Sequence, residues 1–203
     1  NTASGNGGAL YIDSNVNVTS ISGVFVGNYS GNYGGAIYST KSALTIGEGS
    51  VFADNMSHYQ GSAIYTTGTL SISDNSAFIN NVSKSMWGGA VFANGAVNVG
   101  NNVSFIGNKA LLGNGPGGAL YSNGSITIGE NVLFKDNITI SSYGGGALYT
   151  SNGFSIGKGS EFIGNKAVSG TAFGGAINVS GTVNITDTDF KDNMAASFGG
   201  AIY

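Results

Sequence analysis

Of the 203 residues 41% are hydrophobic, enough to bury a core, but only 8% are charged, against roughly 25% in an average globular chain, so solubility rests on hydroxyls and amides. A net charge of −3 with no Arg leaves no basic surface to neutralise a phosphate backbone and excludes a nucleic-acid role. Zero Cys excludes disulfides and thiolate metal sites, and no stretch approaches the ~20 apolar residues of a membrane-spanning helix.

The chain repeats itself from end to end. A Gly-Gly-Ala-aliphatic-aromatic motif begins at Gly7, Gly34, Gly61 (with Ser62 as its second residue), Gly88, Gly117, Gly145, Gly174 and Gly199, at spacings of 27, 27, 27, 29, 28, 29 and 25. A Phe-x-x-Asn motif begins at Phe25, Phe52, Phe78, Phe105, Phe134, Phe162 and Phe190, always 16 to 18 residues after a Gly-Gly-Ala. Residues 1–203 therefore read as one repeat array, cut from a longer rod.

In chain order, each repeat has three short apolar patches. The first carries the aliphatic column (Leu10, Ile37, Ile64, Val91, Leu120, Leu148, Ile177, Ile202), followed by Tyr11, Tyr38, Tyr65, Phe92, Tyr121, Tyr149, Asn178 and Tyr203. Because strand side chains alternate, the aliphatic column is expected inward; the ring column, which tolerates Asn178, is expected outward, with the invariant Ala on the same side. The second patch is an apolar-polar-apolar triplet (Val16/Val18, Leu44/Ile46, Leu70/Ile72, Val97/Val99, Ile126/Ile128, Phe154/Ile156, Val183/Ile185), the pattern of a half-buried strand. The third patch brings the Phe inward. Asn28, Asn55, Asn81, Asn108, Asn137, Asn165 and Asn193 are then expected to form an amide ladder between coils and to take the left-handed conformation of a corner. Three strands and three corners per 25 to 29 residues predict an all-β, right-handed parallel β-helix of about seven coils, triangular in section.

Chemistry-bearing residues are sparse. Asp54, Asp136 and Asp192 share one slot of the Phe-x-x-Asn motif, and Glu48, Asp74, Glu130 and Asp187 share a turn slot also occupied by Asn101 and Lys158. Two carboxylates a coil apart meet the spacing of a glycosidase pair but lack unlike environments and a basic partner, so no catalytic residue and no cofactor are assigned. Glu48 and Asp74 are the pair best placed for a calcium ion, and His58 has neither a second His nor a Cys to complete a metal set. Of nine Asn-x-Ser/Thr sites, four are ladder residues; Asn17, Asn123, Asn178 and Asn184 are the glycosylation candidates among the rest.

The segment between the ladder Asn and the next Gly-Gly-Ala varies from 5 to 8 residues, the mark of an exposed corner. It collects Met56, Met86, Met194, Trp87, His58 and Pro116, with Tyr29, Tyr33, Tyr59, Tyr143, Phe173 and Phe198. Stacked coils would align these into a binding edge of Tyr33, Tyr59, Met86, Trp87, Tyr143, Phe173 and Phe198, with Trp87, Tyr59 and Tyr143 at its centre; the competing reading is that the rings fold inward and pack.

The paired motifs resemble the repeat of the chlamydial polymorphic membrane proteins, which also occurs in large surface proteins of other bacteria and some protists. The resemblance covers nearly the whole chain. It implies a non-enzymatic β-helical passenger, exported by an autotransporter route, displayed on the outer cell surface and adhering to host cells. Its partners would be a host-cell protein or glycan receptor, or neighbouring copies of itself. Two alternatives stand beside it: a subunit of a self-stacking extracellular filament, and a carbohydrate-active enzyme on a β-helix.

Overall fold

The structure, a computed structural model, describes residues 1–112 and 115–203. The chain winds as a parallel β-solenoid of about seven turns with no α-helix among the described residues. It has four sheets rather than the three expected. The Gly-Gly-Ala sheet runs through seven strands from Leu10–Ile12 to Ile177–Val179, and the Phe sheet through seven from Val24–Val26 to Asp189–Lys191. The triplet sheet has six strands, from Ala43–Ile46 to Val183–Ile185. Val16 and Val18 do not begin it: the first coil contributes only a bridge from Ile21 to Ile46.

The additional sheet has eight two-residue strands, from Thr2–Ala3 to Met194–Ala195, each following a ladder Asn except the first. Tyr29, Met56 and Met194 thus lie in this sheet and not in the loop. Its second residue is always small (Ser30, Ser57, Ser83, Ala110, Thr139, Ala167), and these are buried, because the next corner presses against them. A Cβ on Gly35 would sit 2.5 Å from the Met56 carbonyl oxygen, and one on Gly89 would sit 1.7 Å from that of Gly118. The first Gly of each pair has φ between +59° and +77°, a conformation that L side chains rarely adopt. Ser62 is the one departure from the second Gly, and its buried hydroxyl donates to the Gly89 carbonyl.

The Ala after the Gly pair is not outward. Ala36, Ala63, Ala90, Ala119, Ala147 and Ala176 are 0% exposed and join the core. They stand in the bend before the strand, so strand alternation does not reach them, and the tight corner leaves room for no larger side chain.

Pairing is in register from coil to coil, which turns each repeat position into a column. The phenylalanines stack from Phe25 to Phe190 with centroids 4.7 to 5.0 Å apart and planes within 9°. Beside them run the aliphatic column and the triplet pairs, and together these close one continuous core.

The Asn ladder forms as expected. Asn81 donates from its backbone N and its Nδ2 to Asn108 Oδ1 (both 3.0 Å), and Asn108 donates in the same way to Asn137 Oδ1. The second Nδ2 proton goes to the Phe carbonyl one coil back, as from Asn108 to Phe78. Asn1, 27 residues before Asn28, extends the ladder by donating to Asn28 Oδ1. The left-handed residue of this corner is not the ladder Asn but the one before it: Gly27, Asp54, Asn80, Gly107, Asp136, Gly164 and Asp192. Only Gly, Asn and Asp enter that region cheaply, which accounts for the aligned aspartates without any catalytic role.

Candidate functional site

Three of the four turn-slot carboxylates are engaged by amides or a Lys of the next coil. Glu48 Oε1 accepts from Asn75 Nδ2 at 2.8 Å, Asp74 accepts from Asn101 N and Nδ2 at 2.8 and 3.3 Å, and Glu130 lies 3.8 Å from Lys158 Nζ. Among the described residues no group of three or more His, Cys, Asp or Glu side chains gathers. His58 is exposed, edge-on to Tyr59 at 4.7 Å.

The glycosylation candidates divide. Asn17 and Asn184 are exposed, and Asn123 is half-buried between Tyr121 and Asn94, to which it is hydrogen-bonded. Asn178 is only 8% exposed and its Nδ2 donates to the Tyr143 carbonyl, so it is not available to a glycan. Its occurrence in the ring column reflects this bond and not immersion in water.

The distinctive surface is the outer face of the Gly-Gly-Ala sheet. Tyr11, Tyr38, Tyr65, Phe92, Tyr121 and Tyr149 point outward and stack with centroids 4.8 to 5.2 Å apart. The loop rings lie on this column, so the two readings of the loops are each met in part. Tyr33 packs on Tyr59 at 5.4 Å and Tyr65 at 5.0 Å, and Trp87 packs on Tyr121 at 5.2 Å, burying Tyr121 and Phe92. Tyr143 and Phe198 stay exposed, at 52% and 62%, and Met86 remains exposed while Phe173 stacks on Phe198 at 5.7 Å.

Tyr59 does not join Trp87 and Tyr143; it belongs to the Tyr33 cluster. Trp87 and Tyr143 instead share a cavity of about 190 Å³ with Pro116, Tyr121 and Tyr149. Tyr121 and Tyr149, on adjacent strands, were not singled out in the sequence because they read as ordinary members of the strand column. The signal available was the ring missing from the next coil at Asn178, which interrupts that column above Tyr149.

Burial pushes the Tyr121 phenol up to about 12, with the neighbouring Tyr149 phenol adding to the shift, and burial raises Tyr65 and Tyr38 as well. These phenols ionise at lower pH in the unfolded chain than in the folded one. The stabilisation from Tyr121 is therefore complete below pH ~10 and is lost as pH rises toward 12, and that from Tyr65 and Tyr38 falls in the same direction. Urea titrations at pH 8 and above pH 11 should show a loss of order 1–2 kcal/mol from Tyr121, abolished in Tyr121→Phe.

The model of the Chlamydia polymorphic membrane protein (Chlamydia_PMP) repeat matches residues 22–40, 102–123 and 187–203, each stretch running through a Phe-x-x-Asn to the following Gly-Gly-Ala strand. No curated protein and no solved structure matches the chain. Three stretches of the chain are thus similar to the Chlamydia polymorphic membrane protein repeat, and in each of them the two motifs form the ladder and the Gly corner of a coil.

Proposed function

We propose that this chain is a segment of a surface-displayed, non-enzymatic passenger, exported by an autotransporter route, and that it adheres to host cells through the outer aromatic face of its solenoid. The observation that carries the reading is the ring column from Tyr11 to Tyr149 with the loop rings laid on it. Aromatic residues without charge are favoured in the cores of recognition surfaces. The rigid solenoid behind them supplies a pre-ordered platform, which lowers the entropy lost on binding. The repeat itself, shared with a family of polymorphic membrane proteins, supports placement at the cell surface.

The test is the retention of cultured epithelial cells on surfaces coated with the chain, compared with a variant carrying Tyr33→Ala and Trp87→Ala. Both rings are half-buried against strand rings, so the variant should lose about 1–3 kcal/mol of stability, yet remain folded because neither ring enters the inner core. Adhesion by the parent and its loss in the folded variant support the reading; equal adhesion by both overturns it.

A further inference from the structure

The residue before each Gly-Gly pair forms a second column beside the strand rings: Asn6, Tyr33, Gln60, Trp87, Pro116, Gly144, Phe173 and Phe198. Its rings sit between coils. Tyr33 lies 6.4 Å from Tyr38 in its own coil and 5.0 Å from Tyr65 in the next, and Trp87 repeats this with Phe92 at 6.1 Å and Tyr121 at 5.2 Å. Aromatic rings are missing at Asn6, Gln60, Pro116 and Gly144. At Gln60 the gap is closed, since that side chain is buried with its Nε2 3.7 Å from Met86 Sδ.

At Pro116 and Gly144 the gap stays open, and it is the cavity lined by Trp87, Pro116, Tyr121, Tyr143 and Tyr149. The backbone enforces it. Gly144 has φ +74°, and a Cβ there would lie 1.6 Å from the Phe173 carbonyl oxygen, so no side chain can grow into the space from that position.

The lining states what fits. Among the described residues it contains no charged side chain, so an anion finds no counter-charge there. Its volume falls below the roughly 300–1,000 Å³ of sites for drug-sized ligands, which limits the occupant to about one ring. Three phenols accompany the apolar surfaces. Tyr121 Oη donates to Asn123 Oδ1 at 2.8 Å and keeps lone pairs to accept from a ligand hydroxyl. A pyranose matches both features, with its C–H face against aromatic surface and several hydroxyls toward phenols, whereas a planar aromatic side chain offers at most one hydroxyl.

We infer that the gap between Trp87 and Tyr143 is a subsite for one neutral pyranose ring of a glycan, which completes the interrupted outer ring column. The inference rests on the adhesive reading of this face and names its ligand class.

Trp87 is the only Trp, so its emission reports on the cavity directly. The chain is titrated with methyl β-glucopyranoside, methyl β-galactopyranoside, N-acetylglucosamine and, as a planar competitor, N-acetyltyrosinamide. At least one pyranoside should give a saturable emission change. Tyr143→Ala, at an exposed position that preserves the fold, should weaken it by roughly tenfold or more, and Tyr59→Ala, outside the cavity, by less than about twofold. The inference is overturned if no pyranoside binds at about 100 mM, if only N-acetyltyrosinamide binds, or if Tyr143→Ala binds like the parent. Cell retention separates the two readings. Pyranoside binding without adhesion leaves the subsite standing and removes the adhesive reading, while adhesion without pyranoside binding overturns the subsite alone.

Discussion

Phe105→Ala should destabilise the solenoid by roughly 3–5 kcal/mol, the usual cost of deleting a fully enclosed aromatic side chain. Phe105 is 0% exposed, with Phe78 and Phe134 stacked on it at 4.8 Å on either side, so the hole opens inside a column and neither neighbour can shift without breaking its own register. Phe190→Ala should cost less. Phe190 is only partly buried and has one stacked neighbour, Phe162 at 5.0 Å. Nearest-neighbour stability of this kind is expected of repeat arrays, and urea midpoints of the two variants measure it; equal midpoints would contradict the columnar picture.

Asn108→Ala should be of similar size, about 3 kcal/mol or more, for a different reason. The substitution strands the backbone N–H and one Nδ2 proton of Asn81 inside the protein and removes a donor from the Phe78 carbonyl, and buried groups left without partners cost more than the bonds themselves are worth. Asn108→Asp separates donation from acceptance. An aspartate can still accept from Asn81 but cannot donate to Asn137 Oδ1 and Phe78 O unless protonated. Its folded pKa is therefore raised above the unfolded ~3.9, and the variant should be most stable in acid and lose stability as pH climbs through the raised value. Denaturant titrations from pH 4 to 7 check this, and a variant that gains stability with rising pH would show that the ladder does not require the Asn108 amide protons.

Much of this architecture was legible because in-register stacking repeats one coil's chemistry seven times. The Phe and aliphatic columns and the Asn ladder follow from residue type and spacing alone. The additional sheet did not, because strands such as Lys109–Ala110 are two residues long and show no alternation to detect. The inward Ala was misread because alternation was extended one residue past the strand, into a bend whose shape is set by the Gly pair. The left-handed position was assigned to the ladder Asn when that residue's side chain was already committed to its neighbours, leaving the turn to Asp54, Asp136 and Asp192. At the binding face, the loop rings could be named from composition, but not which of them meet. Trp87 and Tyr143 converge while Tyr59 falls outside with Tyr33, and Tyr33 and Trp87 each lean toward the next coil, a tilt that no linear pattern carries.

The most direct test of the adhesive face is cell retention by the Tyr143→Ala chain, since that ring is exposed, lines the cavity and holds no part of the inner core. The account predicts an unchanged melting transition with adhesion reduced roughly tenfold, in keeping with loss of a central contact of ~1.4 kcal/mol. Full adhesion by a normally folded Tyr143→Ala chain would contradict it.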